Sequence, residues 1–458
     1  METIYPVDDA HRHLAASLAE QGVEYALAGY IDVNGRSKSK AVPIAHLPEL
    51  LAGHERYTPR GLGGLGAMNA AEDECVAVPD PSSLVVLPWD RRVAWMSADL
   101  WFGGREPFAL CPRSILKRQI TAATDAGFDC LVGVECEVYM VRADTVGPVG
   151  YLHPILPSGS LKPTPAYDVE VSLDSLGLLD EMVGALNQAG FEVFSFDAEG
   201  GDGQYEFDFH HRSALDMADK LTFFRLAAKQ IAKRHGLVAT FMPKPYTEAW
   251  GSGAHYNMSL ADLESGANLF RDSDDARGRG WSKTAYGFVA GILRHAAALS
   301  AVCAPTVNSY KRLTERLPDG TNSWAPVWAT YGDNNRSCLL RLPRNRPCVE
   351  DRGVDSAANP YLATAFLLAA GLEGVREQLD PGEPIEDLTY DWAPTRANAT
   401  RLPRTLLEAV DEFETDPLVR DVFPKHFIDE YVGMKRAEWD EFHGQVTEWE
   451  RTKYFDMF

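Results

Sequence analysis

The sequence predicts an α+β protein built in two parts, and three observations support this prediction. The chain has 458 residues, whereas one hydrophobic core rarely serves more than about 250–300, so a second domain is expected. Segments with helical spacing alternate with short strand-like segments along much of the chain. After Asn359-Pro360 the pattern becomes mainly helical, which places the strands before that point.

The first predicted domain covers residues 1–108. Residues 12–22 have helical spacing, and the segment that follows predicts a β-hairpin around Asn34-Gly35, a dipeptide that favours tight turns. A glycine-rich stretch at residues 61–66 interrupts this region. Helix and hairpin together indicate a small α+β unit.

The second predicted domain covers residues 109–458. Pro112 stands in the first turn of a helix that ends at Gly127, as the preferences of proline and glycine at helix ends predict. Strands and helices alternate after this helix. The boundary between the two domains is expected near residue 108.

Charge and composition exclude several classes of function. The formal net charge of −22, without a Lys/Arg cluster, argues against a nucleic-acid or anionic-membrane partner. The longest apolar tract, residues 287–305, contains Arg294 and His295 and predicts a buried helix instead of a membrane span. The N-terminal segment lacks the features of a secretory signal. Seven scattered cysteines without a C-x-x-C pair fit a reduced, cytoplasmic protein without a structural zinc site.

Charged and polar side chains recur at every second position of several strand-like segments, which places them on one face of each strand. They are Glu135 and Glu137, Glu206 and Asp208, His255, Asn257 and Ser259, Arg341, and Glu350 and Arg352. Solvent could explain any one of these strands, but a sheet face dense in carboxylates repels itself unless cations neutralise it. Hard oxygen ligands with one imidazole suit Mg²⁺ or Mn²⁺, and acids beside arginines suit phosphoryl transfer. The pattern alone therefore indicates a divalent-metal, phosphate-handling enzyme.

Six segments, in their order along the chain, resemble the motifs of the glutamine synthetase family. They are VGVECEVYMV, GDGQYEF, FMPKPYTEAWGSGAHYNMSL, NSYKRL, NRSCLLRLP and VEDRGVDSAANPYLATAFLLAAGLEG. The resemblance implies an N-terminal β-grasp domain followed by a catalytic domain whose antiparallel sheet forms a half-barrel flanked by helices. It also implies a homo-oligomeric ring, commonly a dodecamer of two stacked hexamers, with active sites between neighbouring subunits.

The resemblance also implies ATP as co-substrate and at least two divalent cations. The residues that resemble the ligands of one cation are Glu137, Glu199 and Glu206, and those of the second are Glu135, His255 and Glu350. In the implied reaction, metal-bound ATP phosphorylates the γ-carboxylate of L-glutamate, and an amine then displaces phosphate from the acyl phosphate.

Further roles follow from the same resemblance. Arg312 and Arg352 resemble the residues that hold the carboxylates of glutamate, and Gly251 would let the backbone approach that substrate. Arg336 and Arg341 resemble those that stabilise the transferring phosphoryl group and bind the nucleotide. Two polar residues, Asn257 and Ser259, are expected near the phosphates.

Departures from the ammonia-using members point to a larger amine. The Asp that binds ammonium in those members has its counterpart near Leu62, and Trp324 stands where a Glu that closes the site would align. Leucine and tryptophan leave an apolar wall where a small cation would need carboxylates. Trp250, immediately before GSGAH, suggests further narrowing of the pocket or an aromatic contact beside the glutamate. The sequence thus predicts ligation of glutamate to an organic monoamine, alkyl or aromatic, as in the γ-glutamylmethylamide synthetase branch.

Three points stay open at this level. Either the amine arrives neutral, or an acid in the loop after NSYKRL, such as Glu315 or Asp319, takes its proton. Cys348 stands where a nucleotide-binding arginine is frequent, and Arg346 is a candidate substitute. The alternative functions are an ammonia-using glutamine synthetase and, in another class, a ring protein without catalysis.

Overall fold

A computed structural model describes residues 3–58, 71, 73–103, 106–143, 152–154, 166–392 and 399–458. Its helices are α1 (Asp9–Glu20), α2 (Leu47–Leu51), α3 (Pro112–Asp125), α4 (Val169–Asp174), α5 (Leu176–Gln188), α6 (Ala214–Arg234), α7 (Lys283–Arg294), α8 (Ala296–Cys303), α9 (Ser309–Arg312), α10 (Pro360–Arg376), α11 (Leu406–Thr415), α12 (Pro417–Val422), α13 (Lys425–His443) and α14 (Glu448–Tyr454). Its strands are β1 (Tyr25–Ile31), β2 (Ser37–Lys38), β3 (Ala41–Pro43), β4 (Arg56–Tyr57), β5 (Cys75–Pro79), β6 (Val85–Val86), β7 (Val93–Phe102), β8 (Glu106–Pro107), β9 (Phe128–Ala143), β10 (Leu152–Pro154), β11 (Val193–Ala198), β12 (Gln204–Phe209), β13 (Arg212–Ser213), β14 (Val238–Thr240), β15 (Ala254–Asp262), β16 (Trp328–Ala329), β17 (Tyr331–Asp333), β18 (Leu340–Leu342), β19 (Val349–Asp351) and β20 (Thr400–Arg401).

The first sheet lies in the N-terminal part of the chain. β1 and β7 pair in parallel, β2 and β3 flank β1, and β5 with β4 extends the side of β7. The predicted hairpin is confirmed as β1 and β2, and Gly35 in its connection has a φ of +76°, which glycine adopts without steric penalty. The helix expected over residues 12–22 is α1, which begins earlier because the Asp8 side chain caps it.

The second sheet carries the catalytic part and curls into a half-barrel. Its main order is β11-β12-β9-β15-β19-β18-β17, and β9, with 16 residues, also pairs with β10, β13 and β14. The pairs among the described strands of this sheet are antiparallel except β17 with β18, which run parallel. The predicted α+β class with a half-barrel sheet is confirmed, and that one parallel pair is the difference.

α10 is a buried helix of the catalytic part, packed among other helices. It packs against α3 and α7, and its residues from Pro360 to Gly371 are buried. Glycines allow α7 and α10 to approach closely. A Cβ at Gly291 would lie 2.0 Å from the carbonyl oxygen of Ala370, so an alanine there would force the helices apart.

Within the described ranges, no single helix combines the length and the apolar composition needed to cross a membrane. α7 and α8 pass the test of length and apolar composition only as a pair, and they are bent by 77° at the break between them. Most of their residues are buried, as predicted for the apolar tract at residues 287–305.

Arg113, in the first turn of α3, joins the two parts of the chain. Its buried guanidinium donates to Asp80 (2.7 Å) and Asp99 (3.0 Å) of the N-terminal part and to both carboxylate oxygens of Asp219 in α6 (3.0 and 2.9 Å). A buried cation is tolerated only with such partners. The domain boundary near residue 108 stays a prediction, but this ionic contact spans the position where it is expected.

Candidate functional site

A cavity of about 580 Å³ lies over one face of the half-barrel, with walls from β9, β12, β15, β18 and several loops. Many of the residues predicted for the site line it: Glu135, Glu137, Glu199, Glu206, Trp250, Gly251, His255, Arg312, Trp324, Arg336, Arg341 and Arg352. Most of the site predicted from sequence therefore converges on one space.

Strand register places the acids side by side. Glu206 of β12 lies opposite Glu137 of β9, and His255 of β15 lies opposite Glu135 of the same long strand. Facing residues of antiparallel strands have Cβ atoms about 4.5–5.5 Å apart. The pairing of three strands is thus sufficient to bring these four side chains together.

One group of possible ligand atoms comprises Glu135, His255 and Glu350, which lie within 4.8 Å of one another. Glu350 is fully buried behind the cavity wall and accepts hydrogen bonds from Arg341 (2.6 Å) and Arg352 (2.5 Å). Two guanidinium groups therefore hold this carboxylate in its ionised form. All three residues predicted for the second cation come together here.

The other group comprises Glu137, Glu206 and His255. Glu199, predicted as a third ligand beside Glu137 and Glu206, lines the same cavity from the turn after β11 but belongs to neither group. One of its own carboxylate oxygens accepts from the N–H of Gly200 (3.2 Å). The structure thus brings together two of the three carboxylates predicted for the first cation, and the role of Glu199 stays a prediction.

Burial and mutual repulsion raise the pKa of Glu137 and Glu206, and of Glu199 beside them. Burial and the charge of Glu199 raise the pKa of Glu137 to about 8, and burial with the charge of Asp197 raises that of Glu199 to about 7. The pKa of Glu206 lies well above its usual range because burial, and then the charge of Glu137, oppose its ionisation. These carboxylates can all ionise near neutral pH only beside added positive charge.

Glu135 and His255, which face each other across β9 and β15, have lowered pKa values instead. Burial opposes ionisation of Glu135, but His255 and Arg346 hold its pKa below its usual range, and Arg346 donates to it at 2.6 Å. Burial lowers the pKa of His255 to about 4, so this imidazole is neutral near pH 7. Arg346 therefore forms the ion pair that stabilises the charge of Glu135 in the folded chain.

The donor set fits hard divalent cations such as Mg²⁺ or Mn²⁺. Its atoms are carboxylate oxygens and one neutral imidazole, which such cations accept. Among the described residues, none forms a hydrogen bond with the buried Nδ1 of His255, which lies 3.5 Å from a carboxylate oxygen of Glu135. An orphaned lone pair beside carboxylates with raised pKa supports the prediction that these residues would hold cations.

Backbone carbonyls fix two of the predicted arginines. Arg312 donates to the carbonyl oxygens of Gly353 (3.3 Å) and Arg352 (3.0 Å), and Arg352 donates to that of Trp324 (3.3 Å). Both guanidinium groups are buried and line the cavity. Arg336 is exposed into the same space and forms no ion pair within the described ranges. Two arginines are thus preorganised, and the third can turn to meet a ligand.

Glycines make room at the base of the cavity. A Cβ at Gly251 would lie 2.6 Å from Cγ of Arg312, and one at Gly253 would lie 2.8 Å from Nε2 of His255. The N–H of Gly253 also donates to Glu137 (2.9 Å). Packing against Arg312 therefore requires glycine at residue 251, in addition to its predicted role of letting the backbone approach glutamate.

Two tryptophans form apolar parts of the wall. A Cβ at Gly200 would lie 2.4 Å from the ring of Trp250, so that ring packs directly on the glycine. Trp324 is 40% exposed, and its φ of +60° is rare for a bulky residue. A left-handed backbone costs such a residue about 1–2 kcal/mol, so the surrounding contacts must hold it there.

The loop between α9 and β16 carries Trp324 and is tied to the rest of the fold. Arg316 pairs with Asp391 (2.5 Å), and Glu315 pairs with Arg401 (3.3 Å). Neither Glu315 nor Asp319 is among the residues that line the cavity. The two acids suggested from sequence as proton acceptors for the amine are therefore turned away from it.

Besides Glu350, which is buried behind the wall, two predicted site residues in the described ranges do not line the cavity. Asn257 is buried and donates to Glu135 (3.2 Å), and Ser259 is buried two residues further along β15. Because both side chains are covered, their expected position near the phosphates stays a prediction. Leu62 lies outside the described residues, and so does the glycine-rich stretch that contains it.

Six residues of the wall are absent from the predicted site residues: Tyr167, Asp208, Ser323, Ala325, Asn345 and Arg346, the last of which was named only as a candidate substitute. Asp208 follows Glu206 at the strand period, and burial with the charge of Glu135 raises its pKa to about 7. The period-two pattern contained this signal. Tyr167, 65% exposed and at a φ of +66°, belongs to no recognisable pattern and could not be found from sequence.

Comparison with protein families decides the relationship. The family model described as "Glutamine synthetase, catalytic domain" matches residues 109–454. The chain belongs to the glutamine synthetase family. The six motifs recognised in the sequence all fall within the matched range.

Curated members of the family are similar along almost the whole chain. A glutamate–methylamine ligase of Methyloversatilis universalis is 35% identical over 444 residues, which cover 96% of this chain and 98% of the relative. A glutamine synthetase of Rhizobium leguminosarum bv. phaseoli is 33% identical over 447 residues, which cover 97% of this chain and 99% of the relative.

Solved structures of a glutamine synthetase relative, GmaS, have the same architecture. The complex of GmaS with ADP superposes with a TM-score of 0.88 at 34% identity and covers 98% of this chain and 100% of the other. GmaS without ligand gives a TM-score of 0.86, also at 34% identity. As a member of the family, this chain is an ATP-dependent ligase that forms C–N bonds, and the family uses ATP and divalent metals.

Proposed function

We propose that the protein joins the γ-carboxylate of L-glutamate to an organic monoamine through a γ-glutamyl phosphate, with release of ADP and phosphate. The observation that carries the amine part is Trp324. Its indole lines the cavity, is 40% exposed, and depends on a backbone conformation that a bulky residue rarely adopts. A strained, solvent-facing aromatic side chain in a cavity is a functional candidate.

An indole face recognises an organic amine better than ammonium. Alkyl and aryl groups bury apolar area against it, which ammonium cannot do. Ammonium would need carboxylate or carbonyl oxygens at that place, and Trp324 supplies only its ring. Trp250 adds a second aromatic surface to the same cavity.

Arg312 and Arg352 would hold the carboxylates of glutamate. Their anchorage to backbone carbonyls keeps both guanidinium groups in place before the substrate arrives. Binding then orders fewer side chains, and the γ-carboxylate is oriented for attack on the terminal phosphate of ATP. The new bond joins a γ-carboxylate oxygen to phosphorus, and ADP leaves.

Arg336 and Arg341 would offset the negative charge that develops on the transferring phosphoryl group. Arg341 is fixed by Glu350 (2.6 Å) and by Asn334 (2.7 Å), whereas Arg336 is exposed and adjustable. Divalent cations held by the two ligand groups would neutralise phosphate oxygens and polarise the phosphoryl group.

In the second step the amine nitrogen attacks the acyl carbon and the C–N bond forms, while the C–O bond to phosphate breaks and the departing phosphate takes the proton that the nitrogen loses. The attacking nitrogen must be neutral. Because Glu315 and Asp319 lie outside the cavity wall, this chain favours an amine that arrives deprotonated.

An ammonia-using glutamine synthetase is the second candidate. It is supported by curated relatives with that name at 33% identity, close to the 35% of the glutamate–methylamine ligase. Overall sequence identity does not distinguish the two candidate functions, so the choice between them depends on the residues of the cavity wall.

The family resemblance extends the proposal to assembly and location. We expect a homo-oligomer, a dodecamer of two stacked hexamers with active sites between subunits, in the cytoplasm. The seven cysteines are free and buried, which fits a reducing compartment.

An amine panel tests the proposal. Phosphate release from ATP, L-glutamate and Mg²⁺ would be measured with ammonium, methylamine, isopropylamine, ethanolamine, putrescine and aniline. We expect at least one monoamine to exceed ammonium by about 10-fold or more in kcat/KM, since one apolar group in a pocket is worth roughly that factor. Equal or better use of ammonium would support the glutamine synthetase instead. No release with any amine, together with no Mg²⁺-dependent binding of ADP, would indicate a ring protein without catalysis.

A further inference from the structure

A second cavity, of about 370 Å³, lies between the β1–β2 hairpin and the C-terminal helices. Its walls come from the hairpin connection, the segment between α8 and α9, the start of α10, and α13. Asn359, the cap of α10, joins these parts because its side chain donates to the carbonyl oxygens of Asp32 (2.9 Å) and Val33 (3.2 Å). The volume is within the range of small-metabolite sites.

Two cations and one carboxylate face this space. Lys435 of α13 is only 3% exposed and donates to Glu438 (3.0 Å), whose other oxygen accepts from the N–H of Val307 (3.1 Å). Glu438 thus has a partner on each oxygen, whereas the ammonium uses one of its three donors within the described ranges. Arg36 of the hairpin is exposed and forms no ion pair with the described residues.

Neighbouring charges do not neutralise this cavity. Asp32, the buried acid of the hairpin, pairs with Lys38 (3.8 Å) and accepts from the backbone N–H of Arg36 (2.9 Å). Arg225 adds positive charge behind the hairpin and is held by the carbonyl oxygen of Ser356 (2.7 Å). This local excess of cations is unusual in a chain with a net charge of −22. A buried ammonium is stabilised by an anion placed beside it.

One part of the remaining wall is apolar, and Asn34, Thr306 and Asn359 are the polar residues beside it. Val302, Pro305 and Leu362 line it, and the ammonium of Lys435 lies 5.6 Å from the centre of the Tyr431 ring. This combination does not suit a metal ion, because carboxylate ligands are too few. It suits an anion that also carries a carbon chain.

The cavity adjoins both segments that carry the glutamate-binding arginines. Thr306 lies in its wall six residues before Arg312, and Ala357 lies in its wall five residues after Arg352. An occupant would contact the far ends of the segments that position these two side chains.

We infer that the second cavity binds a short organic dicarboxylate, with Arg36 and Lys435 holding its carboxylates and the apolar wall holding its carbon chain. The site is separate from the reaction cavity and gives the protein a place where a metabolite can act on it. The inference does not depend on which amine the enzyme uses.

The test is calorimetric titration of the full-length protein with glutarate and succinate, in the presence of saturating L-glutamate to occupy the reaction cavity. Inorganic phosphate is titrated in a parallel experiment. We expect saturable binding of a dicarboxylate, weakened at least 10-fold by Arg36→Gln and by Lys435→Met. Lys425→Gln, on the same helix but with its side chain 86% exposed, serves as the matched control and should bind like the unsubstituted chain.

Distinct outcomes would overturn the inference. These are absence of dicarboxylate binding, binding that both variants retain, and binding of phosphate as tight as that of glutarate. If Lys435→Met fails to fold, Arg36→Gln decides alone, because its side chain is exposed and its removal leaves the core intact.

Discussion

The reaction cavity has one wall built on strands and another built on loops, and the two differ in how the chain holds them. Glu137, Glu206 and His255 stand on paired strands whose register fixes their spacing. Trp250 and Trp324 stand on loops, and the second of them requires a rare backbone conformation. The strand wall carries the chemistry expected of the whole family, whereas the loop wall faces the part of the reaction in which members differ.

The largest expected effect is on the strand wall. Glu350→Gln removes the charge that two buried arginines share, so both the predicted cation ligand and the orientation of Arg352 are lost. We expect the rate of phosphate release to fall by about 1,000-fold, the upper end for loss of one preorganised charged contact.

Asp351→Asn is the matched control on the same strand. Asp351 lies outside the cavity wall and accepts from the N–H of Gly353 (2.7 Å), which an amide oxygen can replace. Its rate should stay near that of the unsubstituted chain. An equal loss in both variants would mean that disturbance of the strand, and not removal of the Glu350 charge, lowers the rate of phosphate release.

A smaller effect, on selectivity, is expected from the loop wall. Trp324→Gly removes the indole while glycine keeps the φ of +60° without strain. We expect the ratio of kcat/KM for the preferred amine to that for ammonium to fall about 10-fold, the value of one lost apolar contact. Gln378→Gly, at a φ of +53° outside the cavity wall, controls for relief of strain and should leave the ratio unchanged. If Trp324→Gly left this ratio unchanged, the loop wall would have no part in amine recognition.

The acids of the strand wall predict a modest pH effect on stability. In the folded protein the pKa of Glu137 is raised to about 8 and that of Glu199 to about 7, so the native state binds more protons than the unfolded state between about pH 4.5 and 8. Stability contributed by these groups is therefore lost as pH rises through that window. In EDTA the Tm should fall between pH 6 and pH 8, and Mn²⁺ should abolish the fall. The same slope with EDTA and Mn²⁺ would contradict a cation site here.

The smallest effect is expected from the acids that lie beside the loop wall without entering the cavity. Glu315→Gln loses a surface ion pair with Arg401, and Asp319→Asn alters a side chain that accepts from the N–H of Thr321 (2.9 Å) and does not line the cavity. Such pairs contribute roughly 0–1 kcal/mol, so rates with the preferred amine should change less than about two-fold at any pH between 7 and 9. A strong loss that is rescued at high pH would identify the altered acid as the base.

Strand patterning predicted the strand wall, whereas Trp250 and Trp324 of the loop wall were identified only through the family resemblance. The period-two placement of Glu135, Glu137, Glu206, His255 and Glu350 followed from strand geometry alone, and the motifs added Glu199. The position of Glu199 depends on a turn, and the φ of Trp324 depends on contacts between distant segments. No local pattern encodes either feature.

The second cavity was beyond sequence reasoning for a similar reason. Arg36 and Lys435 are about 400 residues apart along the chain and meet only because the hairpin packs against the C-terminal helices. Periodicity can say which side of an element a residue occupies. It cannot say which remote element will lie opposite.

Arg113 gives the architecture an evolutionary consequence. One guanidinium is shared by aspartates from both halves of the chain. A hybrid gene that combines the N-terminal segment of one homologue with the remainder of another would have to inherit all the acids of this cluster, or leave a charge stranded in the interior. Recombination at this junction is thereby restricted to parents that carry the same ionic arrangement.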